Sequence, residues 1–265
     1  MRQTEACRAG FRRTPWMDAV LRLGVGVRQV MAGLAGAGRC AVCGSWWAPE
    51  PGADLGLCPS CWQPLVFCDP NADLTRGRAL RHLSFLAAVL AYEGPGREYI
   101  QAMKYRGRVQ IGEALGLLQS AWVDLYPELW RSDCVVSVPL APWRAWERGF
   151  NQADLLAAPV ARRLRVPFLA DVLRRGQETE RQAGLSRWER RRNVEGVFHL
   201  SPGWQARLAG AEVLLVDDIV TTGATLDACA ATLKQAGAAG VRAFVLAHAS
   251  LRRTTVGTEA EQSRS

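Results

Sequence analysis

Two stretches of the 265-residue chain carry side chains whose types and spacing could do chemistry. The first runs from Val213 to Leu226 and reads VLLVDDIVTTGATL. Four apolar residues, Val213 to Val216, have the pattern of a strand buried on both faces. Asp217 and Asp218 follow at its C-terminal end, where open α/β sheets bind ligands. A turn rich in Thr and Gly then opens a helix. The backbone N–H groups of Thr221, Thr222, Gly223, Ala224 and Thr225, with the threonine hydroxyls, can cradle a phosphate at the positive helix end. The two carboxylates can accept hydrogen bonds from neighbouring sugar hydroxyls, directly or with help from Mg2+. A diol and a phosphate on one ligand describe a ribose 5-phosphate group.

The second stretch holds Cys40-Ala-Val-Cys43 and Cys58-Pro-Ser-Cys61. Each CxxC turn brings two thiolates to one side of a tight knuckle, and two knuckles supply four sulfurs for a tetrahedral Zn2+ site. Four cysteines leave no position open for water, so the expected metal role is structural. The segment is too small to fold by apolar burial alone, and metal binding would supply much of its folding free energy. Trp46, Trp47 and Trp62 are expected as its small core. Cys68 has the wrong spacing for the quartet, and Cys7, Cys134 and Cys229 read as ordinary thiols.

Rival readings of the acidic motif fall on the rest of the sequence. A Walker B strand needs a GxxxxGK[ST] partner. The chain's two lysines, Lys104 and Lys234, follow Met and Leu, which excludes a P-loop ATPase. A response-regulator receiver needs several further units after its paired aspartates, and 47 residues follow Asp218. A strand end with incidental acids leaves the Thr-Thr-Gly-Ala-Thr run unexplained. With 33 basic and 25 acidic residues the net charge is +8, which permits phosphate-rich partners without establishing them. Hydrophobic residues at 49% and charged residues at 22% exclude wholesale disorder.

The most apolar long stretch, Trp16 to Ala35, contains Asp18, Arg22 and Arg28, so neither a membrane span nor a secretory signal is expected. The chain reads as cytoplasmic, and the cysteines then need a reason other than disulfides.

The elements that must position these groups alternate. Residues 16–35 have helical periodicity. Ser84 to Tyr92 and Val135 to Val138 read as strands, and so do Pro167 to Leu173 and Val241 to Ala247. Glu98 to Met103 reads as a short helix; Ile111, Leu115, Leu118, Trp122 and Leu125 mark one face of a longer one. Asn151 can cap a third helix with Asp154 at its third position, and Leu226, Cys229, Ala230 and Leu233 line a fourth ending at Gly237. Strand–helix alternation implies an α/β fold with a parallel sheet and flanking helices. Residues 174–195 are strongly charged and read as a mobile basic loop. His82, His199 and His248 show no metal or catalytic spacing, and Ser186 has no nucleophile context.

The acidic motif closely resembles the phosphoribosyl-pyrophosphate (PRPP) site of type I phosphoribosyltransferases. The wider chain resembles one branch of them, the ComF family linked to competence and DNA uptake. The marks of that branch are the CxxC pairs, Met103 to Gly107 (MKYRG), Val138 to Leu140 (VPL), Arg148 to Gln152 (RGFNQ), Gln182, Leu185-Ser186, Arg191 to Val194 (RRNV) and the 213–226 run. The resemblance implies a type I phosphoribosyltransferase-like sheet preceded by a small zinc ribbon with four cysteine ligands. It implies that Arg148 and Gly149 touch pyrophosphate, that 174–195 is a lid, and that Asp217, Asp218 and Thr221 to Thr225 hold PRPP with Mg2+. Phosphoribosyl transfer to an acceptor would follow. A base-binding hood is not recognisable.

The expected organisation is a tail and helix over 1–38, the four-cysteine zinc ribbon over 39–78, the phosphoribosyltransferase-like domain over 79–250 and a disordered tail over 251–265. A second functional class stays open: a non-catalytic adaptor in DNA uptake or processing that holds single-stranded DNA or competence and recombination proteins. Lys104, Arg106 and Arg108 would serve it as phosphate contacts, or stand as a solvated helix end.

Overall fold

The computed structural model describes residues 38–47, 55–69, 71–176 and 197–249. The expected helix over 16–35, Cys7, the segment 177–196 with Gln182, Ser186 and Arg191 to Val194, and the tail beyond 249 lie outside these residues.

Val213 to Val216 lie in the first half of β8 (Glu212–Val220), one of the two longest described strands. In chain order the elements before it are β1 (Gly38–Arg39), β2 (Trp46–Trp47), α1 (Pro59–Trp62), β3 (Phe85–Ala91), α2 (Gly94–Tyr105), α3 (Val109–Ala121), β4 (Cys134–Ser137), α4 (Pro142–Arg148), α5 (Gln152–Leu164), β5 (Phe168–Leu169), β6 (Leu173–Arg175), β7 (Phe198–Leu200) and α6 (Gln205–Leu208). After it come α7 (Ala224–Gln235) and β9 (Gly240–His248). Five strands make one parallel sheet in the order β3-β9-β8-β4-β5. β8 lies between β9 and β4, with Val216 opposite Phe244 on one side and Ser137 on the other. Helices cover both faces, which explains why these strands read as unbroken apolar runs.

One face packs Leu214 and Val216 against Ile100 and Met103 of α2, Leu115 and Leu118 of α3, and Leu156 and Val160 of α5. The other packs Val213 and Leu215 against Leu226, Cys229, Ala230 and Leu233 of α7. Leu57, Cys58, Cys61 and Leu65 join the first cluster, so the cysteine segment shares a core with the sheet domain. Trp47 and Trp62 pack against that core, whereas Trp46 is exposed, contrary to the expected three-tryptophan core. The sheet's outer edge at β3 is covered in antiparallel fashion: Cys68 N–H donates to Val89 O, and Ala91 N–H donates to Val66 O.

Some boundaries differ from expectation. α2 starts at Gly94, because Pro95 suits a first helical turn, where its missing N–H leaves no bond unmade. The strand expected over 167–173 is two short ones, β5 in the main sheet and β6 in an antiparallel ribbon with β7. α4 carries no buried residue and so has no apolar period to reveal it.

The α3–α5 contact depends on a pair of residue choices. Pro159 lies inside α5 and has no N–H for the carbonyl of Leu155, four residues earlier. Gly116 of α3 sits against that carbonyl; a Cβ there would stand 2.4 Å from Leu155 O and 3.1 Å from Pro159 Cγ. Gly112, one turn earlier, is similarly close to Leu155 and Met103. Gly116→Ala forces the helices apart and is expected to lower unfolding free energy by about 1–3 kcal/mol, read from the urea midpoint at unchanged slope.

Candidate functional site

β4 and β8 are neighbours, but their following helices leave to opposite faces: α5 packs on one cluster and α7 on the other. A crevice opens at such a reversal, beyond the C-terminal strand ends, and ligands of open α/β sheets bind there. The segments that meet at it are the two runs singled out in the sequence, 138–152 after β4 and 217–225 along and after β8.

Asn151 organises the first. Its Oδ1 accepts from Ala153 N–H at 3.3 Å, capping α5, while Nδ2 donates to Val138 O at 3.1 Å and Asp154 Oδ1 at 3.0 Å. Arg148 ends α4, and Gly149 closes it in the left-handed conformation at φ 74°.

In the second segment, Gly223 precedes α7 with φ 86°, and a Cβ there would meet Leu80 at 3.0 Å. Two constraints therefore hold this position to glycine, a backbone sign and a neighbour. Ala224 N–H reaches Thr222 Oγ1 at 3.4 Å. Among the described residues, the amides of Thr222, Gly223 and Thr225 have no protein acceptor. They stand at the positive end of a twelve-residue helix. Asp227 in the first turn of α7 accepts from the amides of Arg81 and His82 at 2.9 and 2.8 Å, fixing the 80–82 strip beside the loop. No local signal in the sequence marks that strip.

Asp217 and Asp218 do not act as a matched pair. Alternation along β8 sends their side chains to opposite faces. Asp218 is buried on the α2–α5 side. Its Oδ1 accepts from Lys104 Nζ at 2.8 Å and its Oδ2 from Gln152 Nε2 at 2.8 Å. Gln152 Oε1 accepts from Arg148 Nη1 at 2.9 Å, and the Arg148 guanidinium lies 5.0 Å from the Tyr105 ring centre. Asp217 is half-buried and turns toward the α7 face, near Cys229 and Arg175; its Oδ1 accepts from Asp218 N–H at 2.8 Å. Burial of the Asp217 carboxyl, then the charge of Asp218, pushes its pKa up to about 8. Burial thus favours the protonated form of Asp217, while Asp218 stands against the ammonium of Lys104.

The four cysteines come together as their spacing predicts. Their sulfurs all lie within 4.8 Å of one another, with Cys43 Sγ and Cys58 Sγ 3.7 Å apart. Four sulfurs each about 2.3 Å from a central zinc stand about 3.8 Å from each other, so this donor set could hold the metal. Hydrogen bonds from the Ser45 side chain and then its amide hold the Cys43 thiol down at about 6. Three hydrogen bonds tie the cluster to the sheet domain: Tyr99 Oη donates to Cys61 O at 3.1 Å, and Arg108 Nη2 donates to Ala41 O at 2.9 Å and to Val42 O at 3.3 Å. Arg108 thus serves the cysteine knuckle, and Lys104 serves Asp218.

The histidines are structural neighbours. His82 Nδ1 lies 3.1 Å from Asp227 Oδ2, and His248 Nε2 lies 2.7 Å from Arg78 Nη2. No helix among the described residues is long and apolar enough to cross a membrane.

Comparison with known proteins agrees with this geometry. The phosphoribosyl transferase domain family matches residues 152–256, from the start of α5 through β8 and α7. The chain is 34% identical over 215 residues to the DNA utilization protein YhgH of Escherichia coli K12, covering 79% of this chain and 89% of that protein. It is 31% identical over 196 residues to the competence protein ComFC of Bacillus subtilis 168, covering 72% and 77%. Competence protein F of Haemophilus influenzae Rd is 35% identical over 153 residues, covering 57% and 66%. With a parallel five-stranded sheet, a Thr-Gly loop at its topological switch point and these relatives, the chain belongs to the ComF family of competence proteins, with a phosphoribosyl transferase domain.

Proposed function

We propose that the crevice between β4 and β8 binds PRPP or a related ribose 5-phosphate with Mg2+, in the cytoplasm, and passes the phosphoribosyl group to an acceptor. The observation that carries this reading is the set of amides of Thr222, Gly223 and Thr225, without a protein acceptor among the described residues, at a helix start beside Asp217 and Asp218. These amides and the threonine hydroxyls hold the 5-phosphate, and the carboxyl groups take the sugar diol. Arg148 and Gly149 face the pyrophosphate. As the bond from the anomeric carbon to pyrophosphate breaks, cationic character grows on the sugar and negative charge on the leaving oxygens. Fixed donors stabilise that separation. Asp217 and Asp218 would hold Mg2+, which would supply further charge neutralisation. Cys40, Cys43, Cys58 and Cys61 hold a Zn2+ ion whose role is structural, in a zinc-ribbon unit over 39–78 that precedes the phosphoribosyltransferase-like domain over 79–250.

A second reading, an adaptor for single-stranded DNA, has its own observation and accords with relatives named for DNA utilization and competence. α4 lies on the surface with Trp143 56% and Trp146 89% exposed, and Tyr105 is 72% exposed nearby. Arg144 stacks on Trp143 at 4.9 Å and Arg148 on Tyr105 at 5.0 Å. Alternating aromatic and arginine side chains form a surface on which bases stack and phosphates are neutralised.

Three measurements separate these claims. The raised pKa of Asp217 means that its proton favours the folded state, so stability falls as pH rises from about 4 to about 8 and levels above. Sugar and Mg2+ select the ionised carboxylate. Calorimetric affinity for ribose 5-phosphate with Mg2+ therefore weakens roughly tenfold per pH unit below 8, and Asp217→Asn abolishes that dependence. No binding by the unaltered protein at any pH overturns the reading. For zinc, metal analysis is expected to give one equivalent per chain; Cys58→Ser loses it together with several kcal/mol of stability, whereas Cys68→Ala retains the metal. For the adaptor, Trp146→Ala is expected to cost about 1–3 kcal/mol of affinity for an oligothymidylate and to leave ribose 5-phosphate binding unchanged. Equal oligonucleotide affinity in both proteins removes that reading.

A further inference from the structure

We propose that Lys104 reads a sugar hydroxyl beside Asp218 and thereby makes the crevice select ribose over 2-deoxyribose phosphates. The inference rests on the ribose-phosphate reading and adds a specificity residue to it.

The pair is unusual for its setting. Lys104 and Asp218 are 2.8 Å apart with side chains only 15% and 6% exposed. Taking both charges out of water is costly, and apolar residues of similar volume would often hold the fold as well or better. Stability therefore gives no reason for an ion pair here. Position gives one, because the pair lies at the C-terminal end of β8, where the crevice opens and the phosphate loop begins three residues later.

The pair is also held in place from behind. Gln152 takes the second oxygen of Asp218, Arg148 holds Gln152, and Tyr105 supports Arg148. Tyr105 is the residue after Lys104, so the contacts close into a ring through α2, α5 and β8. Within that ring Asp218 is fixed as an acceptor. Among the described residues Lys104 spends one N–H on Asp218, so two of its three donors remain for a ligand.

A carboxylate only accepts and an ammonium only donates, whereas a hydroxyl does both. A sugar hydroxyl placed at the pair can donate to a remaining lone pair of Asp218 and accept from Lys104. Replacing that hydroxyl by hydrogen leaves two charged groups with an unmet bond each. Sites built around a substrate hydroxyl reject the analogue lacking it far more strongly than apolar pockets reject a size change.

The test is calorimetry with ribose 5-phosphate and 2-deoxyribose 5-phosphate at fixed Mg2+. The unaltered protein is expected to favour ribose by about tenfold or more. Lys104→Met should lower that ratio several-fold, with both sugars still held through the phosphate and Asp218 keeping the remainder; Lys104→Arg should lower it less. Lys234→Met, at the far end of α7, should leave the ratio intact. Because the chain has two lysines, 13C,15N-lysine labelling gives a direct readout on unaltered protein. The side-chain signal that Lys234→Met leaves in place belongs to Lys104. It should move with ribose 5-phosphate and move less with the deoxy sugar. A ratio unchanged in Lys104→Met, or a Lys104 signal unmoved while ribose 5-phosphate binds, overturns the role of Lys104 and leaves the site reading standing. Failure of the unaltered protein to bind either sugar phosphate overturns the site reading itself.

Discussion

Asp218 ends up beneath the surface because the strand that carries it is buried on both faces, and an ionised carboxylate there must be partnered. Much of the site's architecture meets that demand. α2 delivers Lys104 at its last turn, and α5 delivers Gln152 at its first. Asn151 sets where α5 starts, and that start fixes how Gln152 faces β8. Arg148 and Tyr105 then share the burden of holding Gln152. On the opposite side of β8, burial and then the neighbouring charge of Asp218 push the Asp217 carboxyl up. Strand alternation therefore gives two adjacent acids different surroundings, turning one toward Lys104 and the other toward the α7 face near Cys229 and Arg175.

Much of this is legible in the sequence, and the reasons are physical. An unbroken apolar run followed by acids and a Thr-Gly turn announces a buried inner strand and the helix that follows it, because few other structures tolerate that order. Asn151 with Asp154 announces a helix start because capping is local chemistry. The CxxC spacing fixes the sulfur cluster for the same reason. What is not legible depends on contacts between distant residues. Lys104 and Asp218 are 114 positions apart, and nothing in either neighbourhood names the other. The opposed facing of Asp217 and Asp218 follows from strand period, yet adjacent acids invite reading as a pair. Leu80 over Gly223 and Asp227 beneath His82 are tertiary contacts of a loop without periodicity. α4 leaves no trace in the pattern because a helix wholly on the surface needs no apolar stripe.

The cysteine cluster bears on the crevice through the helices it grips. Tyr99 and Arg108 flank Lys104 in sequence, one on α2 and one just before α3, and both bond to backbone oxygens of the cysteine knuckles. Gly56 of the same segment stands close enough to Ala114 of α3 that a Cβ would come within 3.1 Å of it. The four-cysteine knuckle thus sets the height and tilt of the helix end that carries the ammonium. Contacts to the cysteine knuckles and to Asp218 meet at one short stretch, residues 99–108.

The cover over β3 has a different consequence. One flank of the main sheet is already hydrogen-bonded by residues 66–68, and the other ends in a strand of two residues. Neither flank offers a long row of bare peptide groups for strand addition. Recruitment of a second protein by the main sheet would thus have to be read in side chains, which change readily by substitution. Lineages of this fold could trade partners at the helical surfaces while the strand framework beneath stays the same.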